Sequence, residues 1–183
     1  DIAFSGNGEP TASKQFKDVV TILIKKINEY KLDKKIIIRL ITNGSYMANP
    51  VIQESFSLIS NFNREIWFKI DCVKKYDIQT VNQVNLSLVT IKKNLEAALN
   101  NGPTVIQTCF FKLNEKLPSL ESLGAYINFL KIYENKIKEI HLYSLARLSE
   151  QPSQKKLTRL TKSELEDIAI KIKVLNIPVQ IFS

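Results

Sequence analysis

Glu9 is the first residue of the chain whose type and setting point to chemistry. It lies in Ser5-Gly-Asn-Gly-Glu-Pro-Thr11, a turn with two glycines, one carboxylate and a proline, entered directly from the short apolar run Ile2-Ala-Phe4. Gly6 and Gly8 permit backbone angles and a close ligand approach that a side chain would forbid. Pro10 fixes the exit and keeps Glu9 out of helical geometry. The carboxylate is therefore expected at an edge where a strand passes into a helix. Taken alone, the same stretch also reads as a tight turn with a solvated glutamate.

Further polar groups recur at the ends of the later apolar runs. Thr42-Asn43-Gly44 closes Ile36-Ile-Ile-Arg-Leu-Ile41, Lys69 and Asp71 close Glu65-Ile-Trp-Phe-Lys-Ile-Asp71, and Gln107 and Thr108 lie in Thr104–Phe111. Tyr143, Ser144 and Arg147 follow the run from Lys138. In a parallel barrel the loops leaving the carboxyl ends of the strands share one face, so these groups would converge there. Singly, each reads as a strand-end turn or a hydrogen-bonded structural group.

The elements that must carry them follow from periodicity. Phe16, Val19, Val20, Leu23, Ile24, Ile27 and Tyr30 recur at spacings of three and four, which predicts an amphipathic helix over Lys14–Tyr30. The apolar run 36–41 reads as a strand of a parallel sheet covered on both sides. Pro50 to Asn61 reads as a helix opened by proline, with Val51, Ile52, Phe56 and Ile59 as its stripe. Strands are then expected at 65–71, 104–111, 138–145 and 179–182, and helices at 91–99 and 120–133. Thr161-Lys-Ser-Glu164 has the form of a capping box opening a last helix. Six strands alternating with about five helices predict right-handed βαβ crossovers and a single α/β domain over residues 1–183.

Composition sets the class. The chain has 183 residues, 44% hydrophobic and 24% charged, which suits a globular domain with a sizeable core. No apolar run approaches the roughly 20 residues of a membrane span, so the cytoplasm is the expected location. The formal charge of +8 favours an anionic partner. Arg147, Lys155, Lys156, Arg159 and Lys162 form its densest stretch, opposed there by Glu150, and read either as a solvated face or as an anion site. Cys72 and Cys109 form no CxxC or CxxxCxxC cluster, and ordinary reduced thiols are expected. His141, the one histidine, lies inside an apolar run and is expected to be structural.

Ser5-Gly-Asn-Gly-Glu-Pro-Thr11 resembles the SG-x-GEPT form of the motif that follows the second strand of radical S-adenosylmethionine (SAM) enzymes, with Asn7 in place of the usual first glycine. The order that follows, Thr-Asn-Gly, Trp-Phe-Lys-Ile-Asp, Ile-Gln-Thr and His-Leu-Tyr-Ser-Leu-Ala-Arg, is similar to Fe-S oxidoreductases of that superfamily. At several points it resembles the branch that modifies tRNA to wyosine. The resemblance implies an incomplete (β/α)6 TIM-like barrel, an open parallel sheet with helices on its outer face. It further implies that Asn7, Gly8, Glu9 and Pro10 meet the methionyl part of SAM and that Thr42 and Asn43 line the cavity. Lys69 and Asp71 would lie near the ribose and carboxylate, Gln107 at the cofactor, and Tyr143, Ser144 and Leu145 near adenine. Arg147 is the candidate for substrate contact.

The family holds a [4Fe-4S] cluster on a CxxxCxxC loop after its first strand, and this sequence has no such loop. Three clustered thiolates are what that cluster requires. The resemblance thus implies a core lacking its first strand-helix unit, with cluster ligands expected upstream of residue 1. The intact enzyme would cleave SAM to a 5′-deoxyadenosyl radical for substrate modification, while these residues alone would be inactive and could self-associate through the open edge. The substrate stays open between RNA and a protein. The rival reading is a non-catalytic, barrel-like module that binds RNA or another anionic partner through the basic stretch.

Overall fold

In the computed structural model, residues 1–32, 35–82, 86–146 and 157–182 are described. The strands β1 (Ile2–Phe4), β2 (Ile38–Thr42), β3 (Arg64–Lys69), β4 (Thr104–Cys109), β6 (Ile137–Tyr143) and β8 (Val179–Phe182) form a six-stranded parallel sheet in the order β1-β2-β3-β4-β6-β8. The helices α1 (Phe16–Glu29), α2 (Pro50–Leu58), α4 (Leu88–Asn101), α5 (Leu120–Lys131) and α6 (Lys162–Ile172) fall between strands, as the apolar spacing predicts. Among the described residues, no helix is long and apolar enough to cross a membrane.

The chain divides into two compact units, Asp1–Lys69 with Val89–Val105, and Ile70–Leu88 with Ile106–Ser183. In the first unit, β1 pairs with β2 in the register Phe4↔Leu40, and β2 with β3 in the register Thr42↔Phe68. Ile38, Leu40 and Thr42 are buried while Arg39 and Ile41 are half-buried, which is the two-residue alternation of a strand. The covered face packs on α1 and α2. Phe4, Phe16 and Phe56 form an aromatic chain, with ring centres 5.3 and 6.5 Å apart, at distances where tilted rings attract.

The second face differs from the expectation for residues 36–41. In place of a strand apolar on both sides, it carries a charged network. The Arg39 Nε–H donates to Glu65 Oε2 at 2.8 Å, and the Trp67 Nε1–H donates to the same oxygen at 2.8 Å. The Arg39 guanidinium lies 4.9 Å from the Trp67 ring centre and also pairs with Asp1. Glu65 is only 5% exposed, so its charge requires these partners. The register Arg39↔Glu65 sets ion-pair neighbours side by side on one face.

In the second unit, α5 and α6 supply the core. Tyr126 is fully buried; its hydroxyl lies 2.7 Å from Thr108 Oγ1, which also reaches the Ile70 carbonyl at 2.8 Å. The predicted capping box is present, with the Thr161 hydroxyl accepting from the Glu164 N–H at 3.2 Å and the Glu164 carboxylate accepting from the Thr161 N–H at 2.9 Å. The Lys112 ammonium at 2.7 Å, together with these Thr161 contacts, holds the Glu164 carboxyl below the usual carboxylate range.

Two features depart from strict alternation. The strand expected to run to Phe111 ends at Cys109; the Phe110 N–H still reaches the Tyr143 carbonyl of β6, and its own carbonyl accepts the Ser144 hydroxyl. Beyond that break, β5 (Phe111–Leu113) pairs antiparallel with β7 (Leu157–Arg159). A short helix α3 (Lys75–Asp77) also runs into a π-helical turn at Ile78–Asn82.

Gly44 is the one glycine whose conformation the fold demands. It has φ of +78°, and a Cβ there would stand 2.1 Å from Phe68 Cζ. Gly44→Ala combines a left-handed backbone with a clash against a buried ring. It should destabilise the protein by about 2–4 kcal/mol, measured by urea unfolding; a loss under 1 kcal/mol would show that this turn relaxes freely.

Candidate functional site

The polar residues at the ends of β1 and β2 meet at one carboxylate. Glu9 has an extended backbone, φ −78° and ψ 114°, and its side chain caps the 3₁₀ turn Pro10–Ala12. Oε1 accepts the Thr11 N–H at 3.1 Å, the Thr11 hydroxyl at 2.5 Å and the Thr42 hydroxyl at 2.6 Å. Oε2 accepts the Asn43 N–H at 2.7 Å. Thr42 Oγ1 in turn accepts the Gly44 N–H at 2.9 Å, and Asn43 Oδ1 accepts the Ser45 N–H at 2.9 Å. Thr11 and Thr42 are buried, Glu9 is half-buried and Asn43 is exposed. A carboxylate oxygen has room for more than one donor, so Oε2 can still take an incoming cation.

The loop that brings Thr42 and Asn43 to Glu9 is braced from α4. The buried Asn94 accepts the Ala48 N–H at 2.9 Å and donates to the Ser45 carbonyl at 3.3 Å. Sequence reading missed Asn94, which sits among apolar neighbours on a helix; a buried asparagine on an otherwise apolar stripe was the available signal.

Asn7 and Gly8 lie exposed on the turn beside Glu9, and Pro10 opens the 3₁₀ turn. Of the two roles expected for Gly6 and Gly8, the unusual backbone angle is corrected, and the space beside both is open. Neither has a positive φ, and a Cβ at either would meet nothing within 4 Å. The glycine that this edge requires is Gly44.

Lys69 ends β3 exposed in the first unit, whereas Asp71 belongs to the second. There, Asp71 Oδ1 accepts the Cys109 N–H at 2.9 Å, next to the half-buried Gln107 on β4. Ser144 is buried, and its hydroxyl is engaged by the Phe110 carbonyl at 2.7 Å and the Leu160 N–H at 2.9 Å. The Tyr143 carbonyl accepts the Phe110 N–H at 2.9 Å, and Leu145 is half-buried. Arg147, Glu150, Lys155 and Lys156 lie outside the described residues. Arg159 is on β7 and Lys162 opens α6. His141 Nε2 is 3.2 Å from Glu139 Oε2, and its ring centre is 4.9 Å from that of Phe182.

No family model matches this sequence, and no curated protein matches it. Solved structures do. A domain of pyruvate-formate lyase-activating enzyme from Bacteroides vulgatus ATCC 8482 shares the fold with a TM-score of 0.66 at 15% identity, over 100% of this chain and 98% of that one. A radical SAM methyltransferase from Sphaerobacter thermophilus aligns with a TM-score of 0.64 at 9% identity, over 100% of this chain and 50% of that one. The chain thus spans about half the length of the methyltransferase. At these identities the likeness shows the fold alone, a six-stranded parallel sheet flanked by helices.

Neither cysteine is in a disulfide; Cys109 is buried and Cys72 half-buried. Burial, with the negative charges of Asp71 and Asp77, pushes the Cys72 thiol up to about 12. A raised thiol pKa keeps the unreactive protonated form through neutral and mildly alkaline pH. Cys72 should therefore alkylate with iodoacetamide at pH 8 on the order of a thousandfold more slowly than an ordinary thiol of pKa about 8.5, the ratio of their thiolate fractions, with urea restoring the normal rate. Mass-spectrometric labelling at the normal rate in the folded protein would contradict the assignment.

Proposed function

We propose that this chain is the SAM-binding core of a radical SAM enzyme, and that Glu9 receives the ammonium group at the amino-acid end of SAM. The observation that carries the proposal is the Glu9 carboxylate itself. Four donors from Thr11, Thr42 and Asn43 fix it across the ends of two adjacent parallel strands, with an acceptor position remaining on Oε2. A carboxylate held this way offers a preorganised, charge-assisted contact to a cation. In this reading Asn7, Gly8 and Pro10 shape the wall of the turn, and Thr42 and Asn43 set the angle of the carboxylate. The fold shared with a radical SAM methyltransferase supports the same assignment.

When bound, SAM supplies the 5′-deoxyadenosyl group from which the radical chemistry of such enzymes is made; the protein's part is to bind and orient it. The iron-sulfur cluster does not fit the residues present. Three clustered thiolates are needed, the sequence has two cysteines, and no group of three His, Cys, Asp or Glu suited to a metal occurs among the described residues. The activity belongs in this reading to a parent protein that provides the cluster.

Glu9→Gln should weaken SAM binding by the parent protein roughly tenfold to a hundredfold, the value of a contact to an ionised group of about 1.5–3 kcal/mol. Thr42→Val, which keeps the charge but frees the carboxylate to rotate, should weaken it less. Calorimetry showing unchanged affinity for Glu9→Gln would reject the reading.

Anaerobic iron and sulfide reconstitution of this chain alone should give no stable [4Fe-4S] absorption, and dithionite with SAM no 5′-deoxyadenosine. Addition of a segment bearing CxxxCxxC should restore both. Cleavage of SAM by these 183 residues would overturn the assignment of activity to the parent.

A further inference from the structure

Three asparagine-glycine pairs occur in the chain, Asn7-Gly8, Asn43-Gly44 and Asn101-Gly102. In such a pair the glycine nitrogen is a latent nucleophile toward the side-chain amide one residue back, because no Cβ shields it and the backbone turns freely enough to reach. The attack needs an amide free to swing, a glycine N–H not committed elsewhere, and room for a five-membered ring. Two of the pairs lack these. Asn43 Oδ1 accepts the Ser45 N–H at 2.9 Å, the Gly44 N–H is given to Thr42 Oγ1 at 2.9 Å, and Gly44 is closed in by Phe68. Asn101, the last residue of α4, donates from Nδ2 to Gln53 Oε1 at 2.8 Å and to the Ala97 carbonyl at 2.7 Å, and a Cβ at Gly102 would stand 3.3 Å from Arg64 Nε.

Asn7-Gly8 meets all three conditions. Both residues are exposed on the turn between β1 and Glu9. Among the described residues, no hydrogen bond engages the Asn7 side chain or the Gly8 N–H. A Cβ at Gly8 would meet nothing within 4 Å, so the ring has space to close.

We propose that Asn7 is a site of spontaneous deamidation, the one asparagine-glycine pair of the three that the fold leaves open to it. The Gly8 nitrogen bonds to Asn7 Cγ as it gives up its proton, the bond from Cγ to Nδ2 breaks, and ammonia leaves. Water then opens the imide at either carbonyl and leaves an aspartate or an isoaspartate at position 7. One water is consumed and one ammonia released, with no change of oxidation state. Either product sets a second carboxylate in the turn that carries Glu9 and makes the local potential more negative; isoaspartate also adds a methylene to the main chain of that turn. If Glu9 receives the ammonium group of SAM, the change falls on the binding turn, but the modification itself does not depend on that reading.

The test incubates the folded chain at pH 8 in water enriched in oxygen-18, which enters a residue only when its imide is hydrolysed. Trypsin digestion in ordinary water then separates the three pairs into residues 1–14, 40–64 and 94–112, and fragment spectra place the label. Asn7 should take up label at least about tenfold faster than Asn43 or Asn101, the factor supplied by one or two hydrogen bonds that must break first. In urea the three rates should come together to within about threefold, since the same reacting pair is then free in each. Gly8→Ala, which the open space beside Gly8 accommodates, should slow uptake at Asn7 by about tenfold, because the added Cβ hinders the nitrogen. Uptake at Asn43 or Asn101 as fast as at Asn7 in the folded chain, no uptake at Asn7, an order unchanged in urea, or undiminished uptake in Gly8→Ala would overturn the proposal. The comparison within the unaltered chain decides the matter if Gly8→Ala fails to fold.

Discussion

A half-buried carboxylate can hold one position only if donors surround it, and the first unit is arranged to supply them to Glu9. Parallel pairing places the end of β2 beside the exit of β1, so the Thr42 hydroxyl and the Asn43 N–H arrive on the side of Glu9 that its own turn cannot reach. Thr11 supplies the near side. Each remaining feature of this edge supports that arrangement: Pro10 fixes the turn, Gly44 lets the chain bend away over Phe68, and Asn94 pins the bend from α4. The charge itself is what the geometry preserves, since neutral partners satisfy its lone pairs without cancelling it.

The two faces of the first unit obey different rules. Toward α1 and α2, Phe4, Phe16, Phe56, Ile38 and Leu40 pack as an ordinary apolar core. On the opposite face, Arg39, Glu65 and Trp67 satisfy one another through an ion pair, an indole hydrogen bond and a stacked guanidinium. Removal of one partner from such a network leaves a buried charge exposed to desolvation cost, which makes the three behave as a unit.

Much of the fold was legible in the sequence because apolar spacing is local. The helices over Phe16–Glu29 and Pro50–Leu58, the capped start at Thr161 and the strand-helix order all follow from residues within a few positions of one another. The meeting of Glu9 with Thr42 and Asn43 was legible for a topological reason, since polar residues at the carboxyl ends of parallel strands share an edge. What escaped depends on register between distant segments. The β5–β7 pair joins Phe111 to Arg159 through three-residue stretches too short to show a period. Arg39 inside an apolar run gave no hint of Glu65 opposite it, and nothing local marks Gly44 as the one glycine with a positive φ.

The Arg39 network has a spectroscopic side. Trp67 is the sole tryptophan of the chain, its indole N–H rests on a nearly buried carboxylate and a guanidinium covers its ring. The tryptophan emission of the whole protein is therefore a reading of one residue on one face of β3. Any change that moves Arg39 or Glu65 alters the charges at both the nitrogen and the π-face of that fluorophore together, so the sheet carries its own optical label at the network it depends on.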